Sequence, residues 1–269
     1  MTRYLVVPQW QGSPSARAMH LIDGAEAIAG DLPRAATTRV KVPIEAGEPL
    51  GTDIRRFSAV HRVAETVTHT LAGSDEPAVV VGGDCGIAIP AIAHAALHHD
   101  DLAVIWFDAH ADLHSPESSP SGAVAGMALR ATFEPIDLPS GGVTQSRVIL
   151  AGAREFDDAE WEFISGSGLR ALTIPELADP APLVAAVAAT GAASIYIHVD
   201  LDVLDPAVLD GLALPVPFGL SLEQLTAAIA AVRGEARLAG ASIAGFAPSS
   251  PAAAIDDLGT ILRVLGALK

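Results

Sequence analysis

Ser194-Ile195-Tyr196-Ile197-His198-Val199-Asp200-Leu201-Asp202-Val203-Leu204-Asp205-Pro206 is an apolar, β-branched run that ends in a burst of acid. A second stretch repeats the pattern, Ala103-Val104-Ile105-Trp106-Phe107 leading into Asp108-Ala109-His110-Ala111-Asp112. In extended chain, residues two apart project to the same side. Asp108, His110 and Asp112 therefore share one face, as do His198, Asp200 and Asp202. Carboxylates gathered at the ends of two buried strands repel one another unless cations neutralise them. Oxygen-rich sites with one or two imidazoles suit divalent Mn, Fe, Co or Zn. A solvated acidic loop would explain one such run, but the matched pair points to a two-metal site.

Working outward, apolar runs recur at 4–8, 38–43, 78–82, 103–107, 147–151, 170–174, 194–201 and 242–247. Amphipathic or Ala-rich segments alternate with them, near 15–30, 56–72, 87–99, 122–133, 158–165, 181–190, 221–233 and 251–268. Strands that are apolar throughout and alternate with helices predict a parallel sheet covered on both faces. Ser221-Leu222-Glu223-Gln224 reads as a capping box opening a helix. In such sheets ligands gather beyond the carboxyl ends of the strands, where both acidic runs fall. So does Gly82-Gly83-Asp84-Cys85-Gly86, whose paired glycines allow a tight turn from strand to helix.

The 269 residues suit one α/β domain, read as spanning 1–269. Half of them are hydrophobic and 18% are charged, enough for a layered core. A net charge of −16 disfavours nucleic-acid and anionic-membrane partners. No apolar stretch has the length of a membrane span, and the first residues read as a strand rather than a secretory leader. A single cysteine excludes an internal disulfide and suits a reducing, cytoplasmic setting.

Gly-Gly-Asp at 82–84, Asp-Ala-His-Ala-Asp at 108–112 and Asp-Leu-Asp-Val-Leu-Asp-Pro at 200–206 occur in the order found in the ureohydrolases, the family of arginase, agmatinase and formiminoglutamase. The chain resembles that family over roughly residues 78–248. The resemblance implies a three-layer α/β/α sandwich on an eight-stranded, mainly parallel sheet. It also implies hydrolysis of a guanidino or formimino group by two Mn ions that bridge and activate a water. Asp108, His110, Asp112, Asp200 and Asp202 match five of the family's six metal ligands, Asp108 and Asp200 falling at the bridging positions. Asp157 and Glu160 match acidic positions that recognise a substrate's amino end, although an acidic first helical turn would explain them equally. Ser121 matches a loop that contacts a substrate carboxylate.

Three departures from the pattern matter. The sixth ligand position, usually histidine, is Cys85, whose thiolate would tilt its site toward Zn or Fe. The family's proton-shuttling histidine corresponds to Ala125. The glutamate that grips the guanidinium corresponds to Gly245, and no acid lies between Ala236 and Pro251. His114 falls near the ligands and is the candidate proton donor. His198 is expected to line the site or orient a ligand, or else to be a hydrogen-bonded core histidine.

The resulting expectation is a metal-dependent hydrolase of a linear amidine acting on a small guanidino, hydroxyguanidino or formimino substrate, possible as a homo-oligomer. The alternative is a metal-binding homologue with little catalysis and a regulatory or assembly role.

Overall fold

The computed structural model describes residues 2–74 and 76–269. Every residue of the strands at Leu102–Phe107 and Ser194–Asp200 is buried, so helices must cover the sheet on both sides. Eight strands do form one sheet: β1 (Arg3–Val6), β2 (Thr37–Arg39), β3 (Ala78–Val81), β4 (Leu102–Phe107), β5 (Val148–Ala151), β6 (Arg170–Leu172), β7 (Ser194–Asp200) and β8 (Arg237–Ala244). Their order is β2-β1-β3-β8-β7-β4-β5-β6, and every pairing is parallel.

Strand alternation divides the apolar side chains between two cores. Ile105, Ile197 and Ile243 face helices α1 (His20–Gly30), α5 (Ala181–Ala189), α6 (Leu222–Glu235) and α7 (Ala254–Ala267). Val104, Trp106 and Tyr196 face α2 (Phe57–Leu71), α3 (Ala88–Ala96) and α4 (Asp158–Ser167). The expected three-layer α/β/α sandwich is the observed fold. Among the described residues, no helix is long and apolar enough to cross a membrane.

The Ser221 capping box is present: Ser221 Oγ accepts from Gln224 N at 3.2 Å and Gln224 Oε1 accepts from Ser221 N at 2.8 Å. The helix expected over 122–133 is absent, and two short 3-10 turns occupy Val124–Met127 and Arg130–Thr132. Tertiary partners take up its backbone groups, because Ala125 N donates to Gly12 O and Gly126 O accepts from His114 N. The last strand begins at Arg237 and stops at Ala244, not at 242–247, because Gly245 turns the chain at φ 85°.

Candidate metal centre

Strands β3, β8, β7 and β4 lie side by side, and β3 leads to β4 across the other two. Their carboxyl ends therefore bring together the Gly82–Gly86 turn, Gly245, Asp200 and Asp108. Gly82 and Gly83 adopt φ near 89° and 81°, and a Cβ on Gly83 would lie 2.7 Å from Val7 O. Only glycine passes there. Asp84 ties the turn down through hydrogen bonds from Gln9 Nε2 (2.9 Å), Gly86 N (3.0 Å) and Gly12 N (2.9 Å). Cys85 is thereby set, buried, over the sheet edge.

The acidic side chains meet beneath it. Asp200 Oδ2 accepts from the Cys85 thiol at 2.8 Å, and Asp200 Oδ1 from Asp202 N at 3.0 Å. Asp108 accepts from His110 N at 2.7 Å and from Trp106 Nε1 at 3.0 Å. His110 Nδ1 sits 3.1 Å from Asp202 Oδ2 and 3.4 Å from Asp108 Oδ1. Ala109 N donates to Asp202 Oδ1 at 3.0 Å. Asp112, at a left-handed φ of 53°, buries an Oδ2 with no hydrogen-bond partner.

This crowding governs protonation. Burial, reinforced by Asp202, pushes Asp200 up to about 7, and burial with the Asp108 charge pushes Asp202 to about 6. Burial also raises Asp108, and burial with the Asp108 charge holds Asp112 well above the usual carboxylate range. Burial and the surrounding carboxylates raise the Cys85 thiol. Burial opposes charge on His110, but its hydrogen bonds to Asp108 and Asp202 prevail and hold it up at about 12. A buried cluster of four carboxylates sharing one nearby imidazolium is short of positive charge, and a carboxylate oxygen remains unpartnered. Its donors, oxygen-rich with one imidazole and one thiol, fit divalent cations.

The cluster floors a cavity of about 180 Å³ whose walls include His114, Ser121, Ala125, Glu160 and Gly245. Ser121 is exposed at the rim, with its Oγ accepting from Ala123 N at 3.1 Å. Asp157 caps α4, and Glu160 completes a reciprocal capping box with it. Glu160 also accepts from Leu113 N at 3.2 Å. The acidic helical turn is thus real, and it sits at the cavity as well. His114 reaches both acids, with Nε2 at 2.8 Å from Asp157 Oδ2 and 3.9 Å from Glu160 Oε1, while Nδ1 lies 3.1 Å from Ser118 Oγ. His198 is wholly buried behind the cluster, and burial pushes it down to about 3, so the ring is neutral. Ala125 and Gly245 line the cavity without contributing a polar side chain.

Two residues escaped the sequence reading. Trp106 supports Asp108 from within the strand, and its place two residues before Asp108 on the same face was the available signal. Arg154 binds the carbonyls of Asp202 (2.8 Å), Val216 (2.7 Å) and Pro217 (2.9 Å), clamping the loop that follows β7. Nothing in its spacing marks that role, which depends on a loop sixty residues away.

The sequence pattern of the Arginase family matches residues 19–257. The chain belongs to the arginase family. This arginase-family protein is 32% identical to the arginase of Bacillus subtilis (strain 168) over 175 residues, which cover 61% of this chain and 58% of that relative, less than two thirds of its length. It is 30% identical over 205 residues to the N(omega)-hydroxy-L-arginine amidinohydrolase of Streptomyces lavendulae, covering 76% and 72% of the two chains. The solved structure of Entamoeba histolytica arginase in complex with L-ornithine superposes with a TM-score of 0.84 at 21% identity, covering 99% of this chain and 97% of that one. At that identity the likeness is one of fold.

Proposed function

We propose that this protein hydrolyses a C–N bond of a linear amidine, with an N-hydroxyguanidino or formimino compound favoured over an unmodified guanidine. The observation that carries the reading is the cluster of buried Asp108, Asp112, Asp200 and Asp202 with half-buried His110, opening into one cavity. Two divalent ions fit it, Mn first, with Zn or Fe favoured where Cys85 contributes. Asp108 and Asp200 would serve both, Cys85 and Asp112 one, and His110 and Asp202 the other. Bound there, such ions lower the pKa of water toward neutrality and stabilise developing charge on the substrate.

The protein's own groups set the substrate. With Gly245 and Ala125 at the wall, no carboxylate from β8 grips a guanidinium and no histidine from the second loop relays a proton to a leaving amine. His114 is the proposed proton donor, its Nε2 lying 2.8 Å from Asp157 Oδ2. Delivery from Nε2 requires its contact with Asp157 Oδ2 to open, while Asp157 Oδ1 keeps capping α4 by accepting from Glu160 N. Ser121, Asp157 and Glu160 are proposed to meet the far end of the substrate. A better leaving group than an unmodified amine depends less on acid help, which supports the hydroxyguanidino class, as does the name of the Streptomyces relative.

The test compares Mn-loaded protein on N-hydroxyarginine, formiminoglutamate, arginine and agmatine. N-hydroxy or formimino turnover is expected to exceed that on arginine by about a hundredfold or more, a size set by general acid catalysis. His114→Ala should abolish it. Equal turnover on arginine would overturn the substrate assignment. Two bound ions with no turnover of any of the four would favour the non-catalytic alternative.

A further inference from the structure

Beside the carboxylate cluster lies a buried imidazole with one unpartnered nitrogen. His198 lies on β7 two residues before Asp200, fully inside the protein, and its Nε2 has no hydrogen-bond partner. The rest of the ring is fixed. Nδ1 lies 2.7 Å from Oγ of Ser242, its register partner on β8. On the other side the ring stacks on Trp106, its register partner on β4, with centroids 3.7 Å apart. A ring nitrogen of His198, Sγ of Cys85 and a carboxylate oxygen of Asp108 all lie within 4.8 Å of one another. Metal–ligand bonds of about 2.0–2.3 Å put donors on one ion within this range after a small contraction. A buried Nε2 with nothing bonded to it, on a ring that brings a nitrogen this near a thiol and a carboxylate, is unfavourable unless a cation meets it.

We propose that His198 is a direct ligand of the ion that Cys85 and Asp108 hold. The inference rests on the metal-centre reading of the preceding section and adds a ligand to it. The imidazole missing from position 85 is supplied from the neighbouring strand instead. Ligation through Nε2 requires the tautomer in which Nδ1 donates to the Ser242 hydroxyl oxygen, a role the 2.7 Å contact accommodates. Trp106 holds the ring against rotation while donating to Asp108. The two ions then differ in kind. Thiolate, imidazole and carboxylate select Zn, Fe or Co, whereas His110 with Asp202 and the shared carboxylates keeps the oxygen-rich character that suits Mn. A heterometallic centre follows, with the softer ion on the Cys85 side.

Zinc is the probe, with protein labelled at histidine nitrogens. NMR of zinc-loaded protein should show two coordinated imidazole rings, those of His110 and His198. His198→Phe keeps a ring against Trp106 and removes the nitrogen. It should weaken one of two zinc ions by more than about a hundredfold, beyond the tenfold to hundredfold typical of a residue that only supports a ligand. Ser242→Ala should fall within that smaller range. With cobalt in place of zinc, His198→Phe should also shift the thiolate charge-transfer band of the Cys85 site. One coordinated ring in the wild type, or unchanged binding of both ions by His198→Phe, would overturn the assignment while leaving the metal centre intact. If His198→Phe fails to fold, the count of coordinated rings in the wild type decides. A wild type that binds no zinc would overturn the underlying reading as well.

Discussion

At the ends of β4 and β7, four carboxylates and an imidazole crowd a buried volume, whereas the end of the adjoining β8 presents Gly245 and the loop beside it presents Ala125. The two walls of one cavity thus follow opposite rules. The ion-facing wall keeps costly charge in place with polar partners on both oxygens of Asp108, Asp200 and Asp202. At Gly245 and Ala125 the facing wall offers no polar side chain, and the polar groups on that side are His114, Ser121 and Glu160. The two losses also differ from each other. Ala125 is a short side chain at a lined cavity, and a longer one has room to extend into it. Gly245 sits at φ 85°, and a Cβ placed there would collide with the Asp200 carboxylate. That carboxylate is held from two sides by Asp202 N and the Cys85 thiol.

The sharpest way to break this contrast is to try to refill both gaps. Gly245→Glu should not restore arginine turnover and should instead expel Asp200, reducing metal affinity by about a hundredfold or more, since a shared ligand is displaced. Ala125→His should retain both ions and raise arginine turnover, by a factor within the hundred- to ten-thousandfold range of general acid catalysis. Metal content after dialysis and steady-state rates on arginine measure the two. A Gly245→Glu protein that keeps its ions and turns over arginine would show that the walls are not coupled in this way.

Next in size is the response of the ion-facing wall to chelation and pH. Ions that bind only the folded state stabilise it by about 2.7 kcal/mol each at a hundredfold excess over the dissociation constant. Asp200 and Asp202 have folded pKa values of about 7 and about 6, raised above their unfolded values. Their contribution in the metal-free protein is therefore fully present below about pH 4 and lost as pH rises through 6 to 7. The metal-loaded protein should move the opposite way, because ions require the deprotonated ligands. Melting curves with and without chelator should converge on acidification and diverge toward neutrality. A chelator effect independent of pH would remove the link between burial of these acids and their ions.

The smallest expected effect separates structural from substrate-facing acid. Glu160→Gln removes charge beside His114 and leaves one acceptor oxygen for Leu113 N and Asp157 N in place of two, and should lower stability by about 1 kcal/mol. Metal affinity should be unchanged, while the Michaelis constant for a substrate with a free amino group rises. An unchanged constant would leave Glu160 as a helix cap alone.

The sheet was legible because its strands are apolar throughout and end in acid, a pattern that few other arrangements accommodate. Asp108, His110, Asp112, Asp200 and Asp202 follow from a period of two, yet only Asp200 lies within a strand. β4 stops at Phe107, Asp112 has a left-handed φ of 53° and Asp202 lies in a 3-10 turn, so the turns after the strands bring all five to one cavity. Less legible were features set by distant backbone. The segment 122–133 has helical composition, yet its N–H and C=O groups bond to Gly12 and His114, which no local pattern announces. The end of β8 was misplaced for a similar reason, because an apolar run continues past Ala244 while the chain turns at Gly245. His114 was readable as a neighbour of the ligands, but its capture by Asp157 and Ser118 joins a loop to the start of α4 and exists only in three dimensions.

Trp106 is fully buried, donates to Asp108 and lies flat against His198, whereas Trp161 is 60% exposed. This indole is therefore shielded from water and in direct contact with Asp108 and His198. Its emission should be blue-shifted relative to that of Trp161 and quenched by a paramagnetic occupant such as Mn or Co more than by Zn. The fold has thereby placed an intrinsic fluorophore directly behind the carboxylate cluster, and the arrival of each kind of ion should be observable by light, without a label and without a substrate.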